Sequence, residues 1–174
     1  MWKQEPIIIP EYLTETQAYS LKTKNGNVFV YYDTIPNKAI IQWGTMVNGD
    51  HLDERVGIDW LANYIQVTLW NVLYQTPTKI PQTDAGTAVL ATACKGCLVT
   101  AVNNGLLAPG VWQGPPLGNV NTGDTLDTGY YIYYPLWATL SQTYRATRAA
   151  PPIQILCKFA GAVETINVQM TFER

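Results

Sequence analysis

APPIQILCKFAGAVETINVQMTFER, residues 150–174, holds two alternating apolar runs that are out of phase with each other. In the first, Ile153, Ile155, Cys157 and Phe159 fall on odd numbers. In the second, Ile166, Val168, Met170 and Phe172 fall on even ones. Side chains alternate across a strand with period two, so one flat, continuous strand cannot bury both sets on the same face. The phase changes across Ala160–Ala162, and Gly161 therefore marks a bulge, a turn or a change of sheet. Two arrangements satisfy this pattern. One is a tight hairpin inside a single domain. In the other, the last strand leaves its own sheet and completes a neighbour's, since an exposed edge recruits such a strand through main-chain hydrogen bonds.

Working back from that ending, helical and strand patterns follow one another without a linker-like break, so residues 1–174 read as a single domain. The 174 residues, 47% of them apolar, are enough to bury one core. Thr14 with Gln17 forms a capping box that opens a helix, and Gly26 is its expected stop. NVFVYYD and AIIQW, separated by TIPNK, read as an antiparallel pair whose near-continuous apolarity predicts burial on both faces. In DERVGIDWLANYIQVTLWNVLYQ, residues Ile58, Leu61, Ile65, Leu69 and Val72 make one helical face, widened by Trp60, Tyr64 and Val67. So wide a face predicts a helix held between layers. A second long helix runs from Asp84 to about Asn103 and lies on a sheet, with small residues that let backbones approach. Lys95 at its middle argues against a membrane span. The long Gly, Pro, Asn and Thr-rich loop 106–128 follows, then the strand GYYIYYP, the short helix SQTYRATRAA and the closing runs. The expected fold is an α+β mixture in which two long helices pack on a mixed sheet, with the terminal arm 162–174 free to join a neighbouring subunit's sheet.

The chemistry of the side chains excludes several functions. Eleven basic against thirteen acidic residues, scattered along the chain, give a net charge of −2, which fits neither a nucleic-acid partner nor membrane anchoring. Three cysteines form no disulfide framework. Cys94 and Cys97 have CxxC spacing, but in the middle of a helical pattern they read as small core residues rather than a redox or metal site. His51 lies in the turn NGDHLDE without a nucleophile at a telling spacing, and no phosphate-binding glycine pattern occurs. Asp50, Asp53, Glu54 and Asp59 surround a helix start, where carboxylates cap free N–H groups. Asp124 and Asp127 suit turns, and Arg145 and Arg148, placed on one face of the short helix, can pair with one of them. No enzyme, metal or cofactor is expected. Six Trp and eleven Tyr leave a carbohydrate- or receptor-binding module open as the alternative. Trp112 and Trp137, beside the long loop and a proline, are with Arg145 and Arg148 the candidate interface residues.

Four blocks in order, GIDWLANYIQVTLWNVLYQTPTKIPQTDAG, VNNGLLAPGVW, GDTLDTGYYIYY and RATRAAPPIQILCKFAGAV, resemble the C-terminal portion of sheath-like proteins from contractile-tailed bacteriophages. The similarity runs from about Leu13 to Arg174. Members of that family are usually longer, which implies that this chain is a fragment or a reduced version. The resemblance implies a structural virion protein, assembled in the host cytoplasm, that polymerises with its own copies around a tail tube protein and contracts during genome delivery. Terminal arms in such proteins pair with strands of adjacent subunits. Carried onto this sequence, Val163 to Glu173 is the donor strand, with Ile166, Val168, Met170 and Phe172 as its buried face.

Overall fold

The computed structural model describes residues 8–31 and 39–173. The TIPNK connection and the first seven residues lie outside them. The fold is α+β, as the sequence predicts. Its β component is three separate two-stranded antiparallel sheets among the described residues, where one mixed sheet was expected. Turns and helices rich in Gly and Pro interrupt the chain between pairs, so each pair closes locally. The chain divides into two compact units, Met1–Trp60 and Leu61–Arg174.

In the first unit, α1 (Glu15–Lys22) opens with the predicted capping box. The Thr14 hydroxyl accepts from the Gln17 N–H at 3.4 Å, and the Gln17 Oε1 accepts from the Thr14 N–H at 3.0 Å. The helix ends at Lys22, four residues before Gly26. Asn25 takes the left-handed conformation (φ 56°), and the Gly26 N–H returns to the Leu21 carbonyl at 2.8 Å. Asn is the residue other than Gly that best tolerates this region, because its short amide bonds locally; here its Nδ2 donates to the Val47 carbonyl at 3.0 Å. Strands β1 (Val28–Tyr31) and β2 (Ala39–Gln42) pair antiparallel, with Val28 opposite Gln42 and Tyr31 opposite Ala39. Burial falls on one face only: Val28, Val30 and Ala39 are buried, whereas Ile41 is exposed. Among the described residues the pair gains one further bridge, from Glu11 on one edge, and a sheet this small leaves a face outward. The acidic cluster is spread over a turn and a helix start: Asp53 and Glu54 occupy the first turn of α2 (Leu52–Gln75), and Asp59 pairs with Arg55 at 3.1 Å.

In the second unit the core is built on α3 (Asp84–Asn103). Cys97, Leu98 and Ala101 pack with Leu61 and Leu107, and Tyr130, Ile132, Ile155 and Phe159 close over them. The helix is long and apolar enough to cross a membrane by length and composition, but its small-residue side is spent on this core. Thr83 caps it, its hydroxyl accepting from the Gly86 N–H at 3.2 Å. Gly86 is required by close approach: a Cβ there would sit 2.0 Å from the Pro81 carbonyl oxygen. The sheet beneath pairs β5 (Tyr130–Tyr133) with β6 (Gln154–Cys157), placing Tyr130 opposite Cys157 and Tyr133 opposite Gln154.

The stretch 106–128 is a built excursion. Strands β3 (Gly110–Val111) and β4 (Thr125–Leu126) pair antiparallel, and the ladder continues through Trp112, whose N–H donates to the Asp124 carbonyl at 2.8 Å. A tight turn at Leu117–Val120 places Gly118 (φ 58°) under the Tyr133 ring, where a Cβ would meet Cδ2 at 2.6 Å.

Candidate inter-subunit surface

Just beyond β6 the chain still pairs with its own unit. The Ala160 N–H donates to the Leu106 carbonyl at 3.0 Å, and Phe159 bridges Leu107. Gly161 then takes φ 69°, the break that the phase change predicted. From there to Glu173 the chain forms neither helix nor strand. Val163, Ile166, Val168, Met170 and Phe172 are 73–85% exposed. Five large apolar side chains spaced along one exposed segment amount to a surface that a soluble chain ordinarily covers. No hairpin folds this segment back onto β6 among the described residues, and no strand pairs with the second edge of β6.

The four candidate interface residues are placed unevenly. Trp137 begins the short 3-10 turn Trp137–Thr139 and is buried. Its N–H donates to Asp84 Oδ1 at 2.9 Å and its Nε1–H to Thr87 Oγ1 at 2.8 Å, so this ring ties the turn to the start of α3. Trp112 is half-buried, with its Nε1–H on the Pro115 carbonyl at 2.9 Å and its ring lying against Gly114. Neither indole stands free as a flat stacking platform of the kind that sugars use. Arg145 ends α4 (Gln142–Ala146), and its carbonyl accepts from Gln82 Nε2 at 3.0 Å. The expected shared helical face does not form: α4 stops at Ala146, and Arg148 lies beyond it with φ 58°. Both arginines are exposed, and among the described residues neither joins Asp124 or Asp127. Asp124 instead accepts from the Asn121 N–H at 2.7 Å within its own turn.

Trp137 also floors a pocket of about 200 Å³ with Leu73, Ile80 and Leu90, rimmed by Arg148 and Ala149.

The sequence predicts a helix held between layers over α2, and the structure corrects this. Leu61 is the only buried residue of that helix among those described. Val67, Trp70 and Tyr74 lie on its exposed side, with the last two rings stacked at 4.9 Å. The signal was present in the breadth of the stripe. A face too wide for one partner helix demands a second layer, and the second unit supplies only α3 and the β5–β6 pair.

The thiols behave as core groups. Cys94 and Cys97 are each 1% exposed, and the Cys97 thiol donates to Thr68 Oγ1 at 3.3 Å. Burial, and secondarily the neighbouring Cys97, push the Cys94 thiol above its ordinary pKa; burial does the same to Cys157. Reactive cysteines need the opposite shift.

Comparison with known proteins agrees with this arrangement. A family model, the E217 tail sheath protein gp31-like, C-terminal domain, matches residues 52–172. Among solved structures, the chain is similar to one in the cryo-EM structure of the anti-feeding prophage (AFP) baseplate, 6-fold symmetrised, with a TM-score of 0.61 at 16% identity. The match covers 94% of this chain and 41% of that one, so the chain spans less than half the length of its structural relative. No curated protein sequence matches it. With more than half of its residues inside the family model, including the long helices, the hairpin excursion and the exposed arm, the chain belongs to the E217 tail sheath protein gp31-like C-terminal domain family, a structural component of phage tails.

Proposed function

We propose that this chain is a subunit of a contractile tail sheath, that it polymerises with its own copies around a tail tube, and that the arm 162–173 links adjacent copies by strand donation. The family is structural, and the proposed role is mechanical. The observation that carries the reading is the arm itself: Ile166, Val168, Met170 and Phe172 alternate in sequence, as one face of a strand requires, and are 73–85% exposed. Burying each such side chain is worth about 1.5–3 kcal/mol, and the unpaired edge of a two-stranded sheet offers the main-chain hydrogen bonds that an added strand needs. A donated strand also explains how a lattice can change its packing without falling apart. Contraction shifts rigid units between two arrangements while the linking strands stay paired. Assembly then takes place in the host cytoplasm, and the partners are further sheath copies and the tube protein.

Removing residues 163–174 tests this. The truncated protein is expected to keep the secondary-structure content and unfolding transition of its core and to form no rings or tubes by electron microscopy. Tubes of ordinary appearance from the truncated protein would refute strand donation.

A further inference from the structure

We infer that the Trp137 pocket is the receptor for the tip of a neighbouring copy's arm, with Phe172 seated in it and Glu173 beside Arg148. This rests on the reading of the arm as a donated strand and goes beyond it by assigning the anchoring residue and its pocket.

The geometry starts from β6. An arm added antiparallel to its unpaired edge runs from the Cys157 end toward the Gln154 end. Opposite residues in such a ladder share a face. The register that sets Val168 opposite Cys157, which with Ile155 faces the α3 core, puts the arm's apolar face on the core side and Met170 opposite Ile155. Phe172 then lies two residues further, about 7 Å on, level with Ile153. The chain shortly before Ile153, Arg148 to Ala150, lines the pocket, and the continuation of β5 supplies Trp137 to the same lining. Both strands of the pair thus lead into the cavity at the end where the arm's tip emerges.

Size and charge select the occupant. At about 200 Å³ the pocket is smaller than the range of about 300–1,000 Å³ typical of small-molecule sites. It is lined mainly by apolar side chains, with Leu73, Ile80, Leu90 and Trp137 among them and Arg148 at the rim. An aromatic side chain followed by a carboxylate complements that lining. The arm supplies Phe172, 85% exposed, followed by Glu173. An aromatic anchor in a preformed pocket is the usual energetic centre of an interface. Such an anchor would also fix the register, which main-chain pairing alone leaves free to slip.

The test is cross-linking of the full-length protein with a short thiol-to-thiol bis-maleimide, read on a denaturing gel. Ala149→Cys with Phe172→Cys in one chain is expected to give dimers and a ladder of higher multiples, and each single variant only the background of the native thiols. Gln154→Cys with Thr171→Cys reports strand addition separately. A ladder from the second pair without one from the first would overturn the pocket assignment and leave strand donation standing. No ladder from either pair would overturn both. A ladder of equal strength from Val47→Cys with Phe172→Cys, where Val47 is 93% exposed in the first unit, would mark unspecific capture and likewise refute the assignment.

Discussion

Single residues decide how firmly the second unit holds together. The Trp137 indole donates from the 3-10 turn to Thr87 on the buried side of α3, and Thr87 is 2% exposed. Trp137→Phe keeps most of the packing but deprives a buried hydroxyl of its donor, so we expect a loss of about 1–3 kcal/mol in unfolding free energy, read from urea transitions; an unchanged midpoint would show that the bond contributes nothing. Cys94 gives the fold a pH dependence whose sign follows from its raised pKa. The folded state holds the thiol proton more tightly than the unfolded chain does. Its contribution is therefore fully present below the ordinary thiol pKa of about 8.5 and is lost as pH rises through the raised value. Stability is expected to fall as pH rises above about 8.5, where the unfolded thiol begins to lose its proton, and Cys94→Ala should flatten the decline. Cys157 acts in the same direction, so some slope persists in that variant. An alkaline limb as steep as that of the unmodified protein would remove Cys94 from the account.

At the scale of elements, the legible features were those whose cause is local. The capping box at Thr14, the N-cap at Thr83, the two long helices and the break at Gly161 all follow from residues within a few positions of one another. Thr83→Ala is accordingly expected to cost about 1 kcal/mol, visible as a lowered thermal midpoint. Features that depend on what lies across from an element were read less well. An apolar run says that a face wants cover without saying whether the chain itself provides it. That is why β1 and β2, rich in apolar residues, bury one face only, and why α2 leaves Trp70 and Tyr74 outward. The two sides of α2 separate experimentally. Leu61→Ala should cost about 2–5 kcal/mol, whereas Trp70→Gln, at a position 60% exposed, should stay within about 0.5 kcal/mol of the unmodified protein. Comparable losses from both would mean that the outward stripe is packed within the chain after all.

Across the whole molecule, the α+β class and the resemblance to sheath C-terminal portions were visible in the pattern of the chain, and the family match over residues 52–172 agrees with the resemblance. The interface was only half legible. Alternation identified Ile166, Val168, Met170 and Phe172 as one face, but nothing local distinguishes an interface tryptophan from a core one; burial of Trp137 and its bond to Thr87 emerged only from the folded arrangement. The central claim is that cohesion between copies comes from backbone pairing by a segment that its own chain leaves uncovered. A cryo-EM reconstruction of the assembled protein measures this most directly. The account predicts continuous density for residues 163–173 hydrogen-bonded along a strand edge of an adjoining copy. Density for that segment folded onto its own unit, or absent while the lattice is otherwise well resolved, would contradict it.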